Sequence, residues 1–307
     1  MKTFSSEVKS GIIERRFNNN QLRFLCLYGI LRTLKKCSSD EIVLKTSHSG
    51  TAGLFSELVG LVTAMPEAAD TAVTEKKDGG KLYRISVNSR SAREKLLNEF
   101  HIKTQNTDGG GIDRDLVDSV STAGFFAGVF LSVGSVADPS KGYHMEFSFA
   151  NEKTADDFAA FADLLPDSFT LKKITRKGRT ILYTKSADSI SDFLTFIGAP
   201  EAAIKLMNTE ILKNVRNKAN RIANCDSANI ERAVSAGSRQ AEEIEFLYKR
   251  LGRDNLKPSL RIAADLRLEN PELTLAELGE MFDPPLSRSG VNRRLAKLSE
   301  MAGELKG

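Results

Sequence analysis

Cysteine is scarce in this chain. Cys26, Cys37 and Cys225 are the only three in 307 residues, and none forms a CxxC pair. So sparse and odd a count argues against a disulfide framework and reads as reduced thiols of a cytoplasmic protein. Histidine is equally rare. His48, His101 and His144 form no spaced ligand set, so no structural zinc, other metal or cofactor is expected. No apolar run approaches the roughly 20 residues of a membrane span. The first residues, MKTFSSEVKSGIIERRF, alternate charge with apolar side chains and lack the continuous core of a secretory signal. Net charge is only +4, which permits a nucleic-acid partner without requiring one.

What the chain does have is an internal repeat. The pattern predicts a helix over 19–36, a β segment over 41–47 and a helix over 49–65. Strands follow near 71–76 and 81–87 around the turn Asp78-Gly79-Gly80, then a helix over 89–100. The same order returns with a helix over 115–133, a short strand near 134–137 and an alternating strand over 143–149. A helix over 151–165, two strands flanking Arg176-Lys177-Gly178 and a helix over 186–198 complete it. Each unit reads α-ββ-α-ββ-α, spanning about 19–100 and 115–198.

From Ala199 onward the patterning is helical only. The cluster Asn224-Cys225-Asp226-Ser227-Ala228-Asn229 predicts a break between two helices, capped by Asp226 or Ser227. Further on, 259–270 reads as a helix stopped by Asn270-Pro271. Thr274 and Glu277 then form a capping-box pattern that opens a helix to Phe282. After Asp283-Pro284-Pro285, Ser287 is the expected N-cap of a last helix. Val291, Leu295 and Leu298 make its apolar stripe, and Arg288, Ser289, Asn292, Arg293 and Lys297 its outer face, with Arg294 at the edge. Residues 286–298 contain no acid. A support helix, a tight connection and a basic, amide-bearing helix are a helix-turn-helix pattern. Arg and Asn side chains match guanine and adenine edges, while Ser and Lys suit phosphates. The candidate DNA-binding residues are therefore Ser287, Arg288, Ser289, Asn292, Arg293, Arg294 and Lys297.

The stretch Phe126-Ala127-Gly128-Val129-Phe130-Leu131-Ser132-Val133-Gly134-Ser135 follows the motif of the LAGLIDADG homing endonucleases in order, and Leu27 to Leu34 follows it more loosely. The resemblance places that family's metal-binding carboxylates on Leu34 and Val133. Nearly the whole chain resembles the bacterial WhiA family. The match is carried by Phe4-Ser5-Ser6-Glu7-Val8-Lys9, Gly134-Ser135-Val136 with Asp138-Pro139, Asn224-Cys225-Asp226 with Ala228-Asn229-Ile230, and Ser287 to Leu295. It implies an α+β N-terminal domain, duplicated α-ββ-α-ββ-α and LAGLIDADG-like, joined to an all-α helix-turn-helix domain. It also implies a role in sporulation, cell division or chromosome segregation.

The expected boundaries are 1–200 for the first domain, 201–225 for a helical linker and 226–307 for the second, with the motif itself at about 274–305. Valine and leucine offer no oxygen to a hard cation, so no nuclease activity is expected. Asp138 is read as a local turn residue. Lys172, Lys173, Arg176, Lys177, Arg179 and Lys185 are candidate phosphate contacts on the strands. The expected partner is double-stranded DNA, joined by regulatory or division proteins, at the nucleoid in the cytoplasm. The competing expectation is an interaction scaffold held at the nucleoid without controlling transcription.

Overall fold

A computed structural model describes residues 3–15, 19–77, 79–102, 111–117, 122–163 and 169–306. The chain divides into two compact units, Met1–Lys213 and Asn214–Gly307.

The first unit opens with α1 (Phe4–Glu14). Each half then follows one plan. The first half is α2 (Asn20–Thr33), β1 (Lys36–Cys37), β2 (Ile42–Thr46), α3 (Ser49–Thr63), β3 (Ala69–Glu75), β4 (Lys81–Val87) and α4 (Arg90–Glu99). The second is α5 (Thr122–Val133), β5 (Gly134–Val136), β6 (Met145–Phe149), α6 (Glu152–Ala162), β7 (Lys172–Arg176), β8 (Arg179–Thr184) and α7 (Ala187–Phe196). The sheets are antiparallel and identically ordered, β1-β2-β4-β3 and β5-β6-β8-β7. Leu44 lies opposite Ile85 in one and Phe147 opposite Leu182 in the other, and all four face the core.

α2 and α5 form the centre. Leu25 to Leu31 and Gly124 to Leu131 are buried without interruption, as befits helices surrounded on all sides. Their backbones touch. A Cβ on Gly29 would lie 2.2 Å from the Phe125 carbonyl oxygen, and one on Gly128 would lie 2.0 Å from that of Cys26. Only glycine permits this approach. Phenylalanines fill the second half. Phe126 stacks on Phe161 at 5.5 Å, and Phe169 on Phe193 at 4.8 Å.

α1 is fastened to the end of this pair. Phe4, Val8 and Ile12 are buried. Lys9 Nζ donates to the Leu131 carbonyl at 3.0 Å, and the Val136 amide donates to Ser5 Oγ at 3.3 Å. The opening motif is thus a structural clasp on the last turn of α5.

The second unit contains the greater part of α8 (Pro200–Leu251), then a 3-10 turn at Arg253–Asn255, α9 (Pro258–Glu269), α10 (Leu275–Glu280) and α11 (Arg288–Lys306).

Several expectations need correction. α8 runs for 52 residues without a break, so neither Asp226 nor Ser227 caps a helix. Asn and Asp each cost only a few tenths of a kcal/mol to about 0.7 in a helix interior, too little to interrupt cooperative propagation. Their side chains also find partners on the same helix. Asn229 Nδ2 lies 3.7 Å from Cys225 Sγ, and Arg232 donates to Asn229 Oδ1 at 3.0 Å. α2 ends at Thr33 rather than at 36, because Leu34 turns extended and Lys36–Cys37 pairs with β2. The helix expected from 115 begins at Thr122; Arg114 to Leu116 form a turn, and 118–121 lie outside the described residues. Asp78, Leu164, Leu165 and Ser168, each assigned to an element from sequence, also lie outside them.

Gly128→Ala should destabilise the first unit by about 3 kcal/mol through overpacking, read by urea unfolding. Gly53→Ala, at an exposed position of α3 with nothing within 4 Å of a new Cβ, should instead stabilise by about 0.5–1 kcal/mol. Burial lowers the Lys9 ammonium from 10.5 to about 8. Between those values the unfolded chain holds this proton and the folded chain releases it. Stability through Lys9 is therefore lowest below pH 8 and rises as pH climbs toward 10.5, by of order 1–3 kcal/mol. Lys9→Met should flatten that rise in melting curves recorded from pH 7 to 10.

Candidate nucleic-acid interface

The second unit is a small helical core. Ile244 and Leu247 of α8, Ala263 and Ala264 of α9, Leu278 of α10 and Val291, Leu295 and Leu298 of α11 are its buried centre. The expected capping box is present. The Glu277 amide donates to Thr274 Oγ1 at 3.3 Å, and the Thr274 amide donates to Glu277 Oε2 at 2.8 Å. The connection from α10 to α11 closes on a glycine. The Leu286 amide donates to the Gly279 carbonyl at 2.9 Å, and a Cβ at Gly279 would lie 2.3 Å from the Leu286 carbonyl oxygen.

Two buried or half-buried charges set the geometry before α11. Arg267 is 1% exposed, and its Nη1 donates to the carbonyls of Leu273 at 2.8 Å, Asn270 at 3.2 Å and Pro271 at 3.4 Å. These are the orphan carbonyls after α9, so one guanidinium shapes the turn into α10. Burial holds its pKa below the ordinary arginine range. The Pro271 carbonyl also lies against Gly237 of α8, where a Cβ would stand 1.9 Å away. Asp265 accepts from Arg253 through both carboxylate oxygens, at 3.0 and 2.6 Å, and from the Tyr248 hydroxyl at 2.7 Å. That pairing with Arg253 keeps Asp265 below the usual carboxylate range, while burial and Asp265 push Tyr248 up to about 12. None of these four residues stood out in the sequence. A buried arginine that binds only main-chain carbonyls leaves no paired acid to find.

α11 starts at Arg288, and Ser287 Oγ accepts the Gly290 amide at 3.3 Å, as an N-cap does. Arg288, Ser289, Asn292, Arg293 and Lys297 are exposed. Arg288, Asn292 and Arg293 have no side-chain partner among the described residues. Lys297 pairs with Glu300 at 2.7 Å. Arg294 is half-buried, its guanidinium 5.2 Å above the Phe282 ring. The N-terminus of α11 and its outward side chains form one surface that suits a phosphate backbone and base edges.

In the first unit the strand cations divide. Lys172 and Arg176 share the outer face of the sheet, opposite Tyr183 and Arg179. Arg179 donates from Nε to Ser148 Oγ at 2.7 Å. Lys177 occupies the turn with φ 51°, and Lys185 lies 6.0 Å from the Tyr183 ring. Lys173 points the other way, to Glu152 at 2.8 Å and Asp156 at 2.6 Å on α6. It lies on the opposite face of β7 from Lys172 and Arg176. Leu34 and Val133 pack half-buried against the core at the ends of α2 and α5. Asp138 accepts from the Ser140 amide and hydroxyl at 2.8 and 2.7 Å, which holds its carboxyl low and keeps it in its turn. Among the described residues no group of three or more His, Cys, Asp or Glu is placed to hold a metal ion. None of their helices is long and apolar enough to cross a membrane.

Comparison with known proteins settles the family. The profile of the WhiA C-terminal HTH domain matches residues 219–302, and that of the WhiA LAGLIDADG-like domain matches residues 122–216. A protein of Thermoanaerobacter sp. (strain X514), named probable cell division protein WhiA, is 33% identical over 321 residues, covering 99% of this chain and 98% of its own. The chain belongs to the WhiA family. A protein of Clostridium botulinum (strain Hall) with the same name is 36% identical over 232 residues, 73% of this chain and 72% of its own. The crystal structure of full-length DUF199/WhiA from Thermatoga maritima matches with a TM-score of 0.59 at 23% identity, covering 98% of each chain. The WhiA fold is therefore that of this chain: a LAGLIDADG-like α+β domain with two small antiparallel sheets, and a helical HTH domain. The HTH profile begins within α8, well upstream of the three short helices.

Arg267→Ala should lower the stability of the second unit by roughly 2–4 kcal/mol, because it removes a packed side chain and strips three carbonyls of their donor. Differential scanning calorimetry of the full chain should show the loss in one transition only.

Proposed function

We propose that this WhiA-family chain is a non-catalytic DNA-binding regulator of sporulation or of cell division and chromosome segregation, acting on double-stranded DNA at the nucleoid. The observation that carries this reading is the outward face of α11. Arg288, Asn292 and Arg293 stand exposed and unpaired, and no acid occurs from 286 to 298. Leaving three such groups idle on a well-supported helix is what a docking surface requires. The HTH profile and the relatives' division names agree with it. Within this reading, Asn292 and the arginines touch base edges, and Ser287, Ser289 and Lys297 fix phosphates. Arg294 braces Phe282 and contacts the backbone from the rim.

Cleavage plays no part in this function. In-line attack on a phosphodiester by this fold needs hard cations beside the phosphate, and such ions need oxygen donors. The two relevant positions hold Leu34 and Val133.

A scaffold that holds division proteins at the nucleoid is the second reading. Ile222 and Ile230 favour it, since both are more than half exposed on α8.

Fluorescence anisotropy with a duplex selected from a random pool separates the two. The regulator reading expects affinity to fall steeply with salt. Asn292→Ala should cost about 1–3 kcal/mol and relax preference at one base pair, whereas Lys297→Ala should weaken every sequence alike. Wild-type affinity in a variant with Arg288, Asn292 and Arg293 all replaced by Ala would contradict it.

A further inference from the structure

A cleft of about 280 Å³ opens in the first unit at the ends of α2 and α5, beside Leu34 and Val133. Its charged lining is entirely cationic: Lys35, Lys36, Lys45 and Arg179. No carboxylate contributes to it. Thr33 and Ser132 add two hydroxyls, 2.7 Å apart, one from each central helix.

The cations are not neutralised in place. Lys36 is held by Glu41, but Glu41 is shared with Arg84 at 3.0 Å, so the trio keeps a net positive charge. Arg179 is oriented by Ser148, a neutral group. Lys35 and Lys45 are exposed and have no partner among the described residues.

The helix ends do not reverse this sign. Two helix C-termini would ordinarily offer negative carbonyls. Here the Ile30 carbonyl accepts from Thr33 Oγ1 at 2.7 Å, that of Leu31 from the Leu34 amide at 3.2 Å, and that of Leu131 from Lys9 Nζ at 3.0 Å. Those donors include a further positive charge. The cleft therefore presents cations without a compensating acid. Its walls of Leu34, Val133 and Val43 lower the local dielectric and strengthen those charges. Its volume lies just below the common range of ligand pockets, roughly 300–1,000 Å³, which suits a phosphate group with a sugar rather than an extended cofactor.

We propose that this cleft is a phosphate-binding site, in which Lys35, Lys45 and Arg179 hold the oxyanion. The phosphate belongs either to a free nucleotide or to the backbone of a duplex, and the chemistry of recognition is the same. The site is independent of α11.

The test uses the full chain with Arg288, Asn292, Arg293 and Lys297 replaced by Ala, so that none of the exposed cations proposed for α11 remains. Three probes are titrated at low salt: inorganic phosphate, adenosine monophosphate and a 12-base-pair duplex. Binding is read by thermal shift and by NMR of the Ser132 and Lys45 amides. At least one probe should bind, and Lys35→Glu with Lys45→Glu should weaken it at least tenfold. Lys153→Glu, exposed on α6 and outside the cleft, should leave it unchanged. Phosphate or the nucleotide acting alone identifies a free ligand, and response to the duplex alone identifies a backbone contact. Both lysines are exposed, so the fold should persist; Lys35→Gln with Lys45→Gln, expected to show a smaller loss, serves if it does not. No response to any probe, or full binding in the charge-reversed chain, overturns the proposal.

Discussion

The backbone contact between α2 and α5 is the constraint on which the first unit rests. At Gly29 and Gly128 there is no room for one methyl group. The contact fixes the distance between the helices, and so the place where both end and where β1 and β5 begin. Each sheet is then built from the strand that leaves its helix. None of this requires an ion. The crossing is held by dispersion and apolar burial around Phe125, Phe126 and Phe130, so the frame stands with Leu34 and Val133 at its tips. This is why a scaffold shared with metal-dependent nucleases can survive without its carboxylates.

The second unit repeats the device on a smaller scale. Gly237 and Gly279 each admit a carbonyl where a side chain would collide. Arg267 gathers the carbonyls of the α9–α10 turn, and Val291, Leu295 and Leu298 press α11 onto that support. The stabilising interactions lie on the inner face of α11. Its outer face is left free of structural duty, and a recognition surface can then vary without unfolding its support. The same division holds in the first unit, where Lys35 and Lys45 stand clear of the core.

Much of this was legible in the sequence because it is local. Hairpins, the Thr274–Glu277 box and the Ser287 cap depend on residues two to four apart, and the repeat shows itself by order alone. The glycines of 126–136 are visible in the sequence, but the helix they let approach is not. The misreadings have physical causes. The Asn-rich stretch of α8 looked like a break because interior Asn and Asp are unfavourable, but their cost is small beside the cooperativity of a long helix. That Lys173 faces α6 while Lys172 and Arg176 face outward is hidden until the register with β8 is known. Lys9 and Arg267 were silent because each bonds to main-chain carbonyls, which carry no sequence signature. The cationic cleft draws Lys35 and Lys45 from one repeat and Arg179 from the other, and only folding brings them together.

In the proposed function, α11 carries attachment to the duplex. Genome-wide mapping of bound sites in living cells tests it most directly, with the wild-type chain beside one carrying Ala at 288, 292 and 293. The account predicts discrete, reproducible sites sharing a sequence for the wild type, and their disappearance in the variant at equal protein level. An unchanged set of sites in the variant would contradict it.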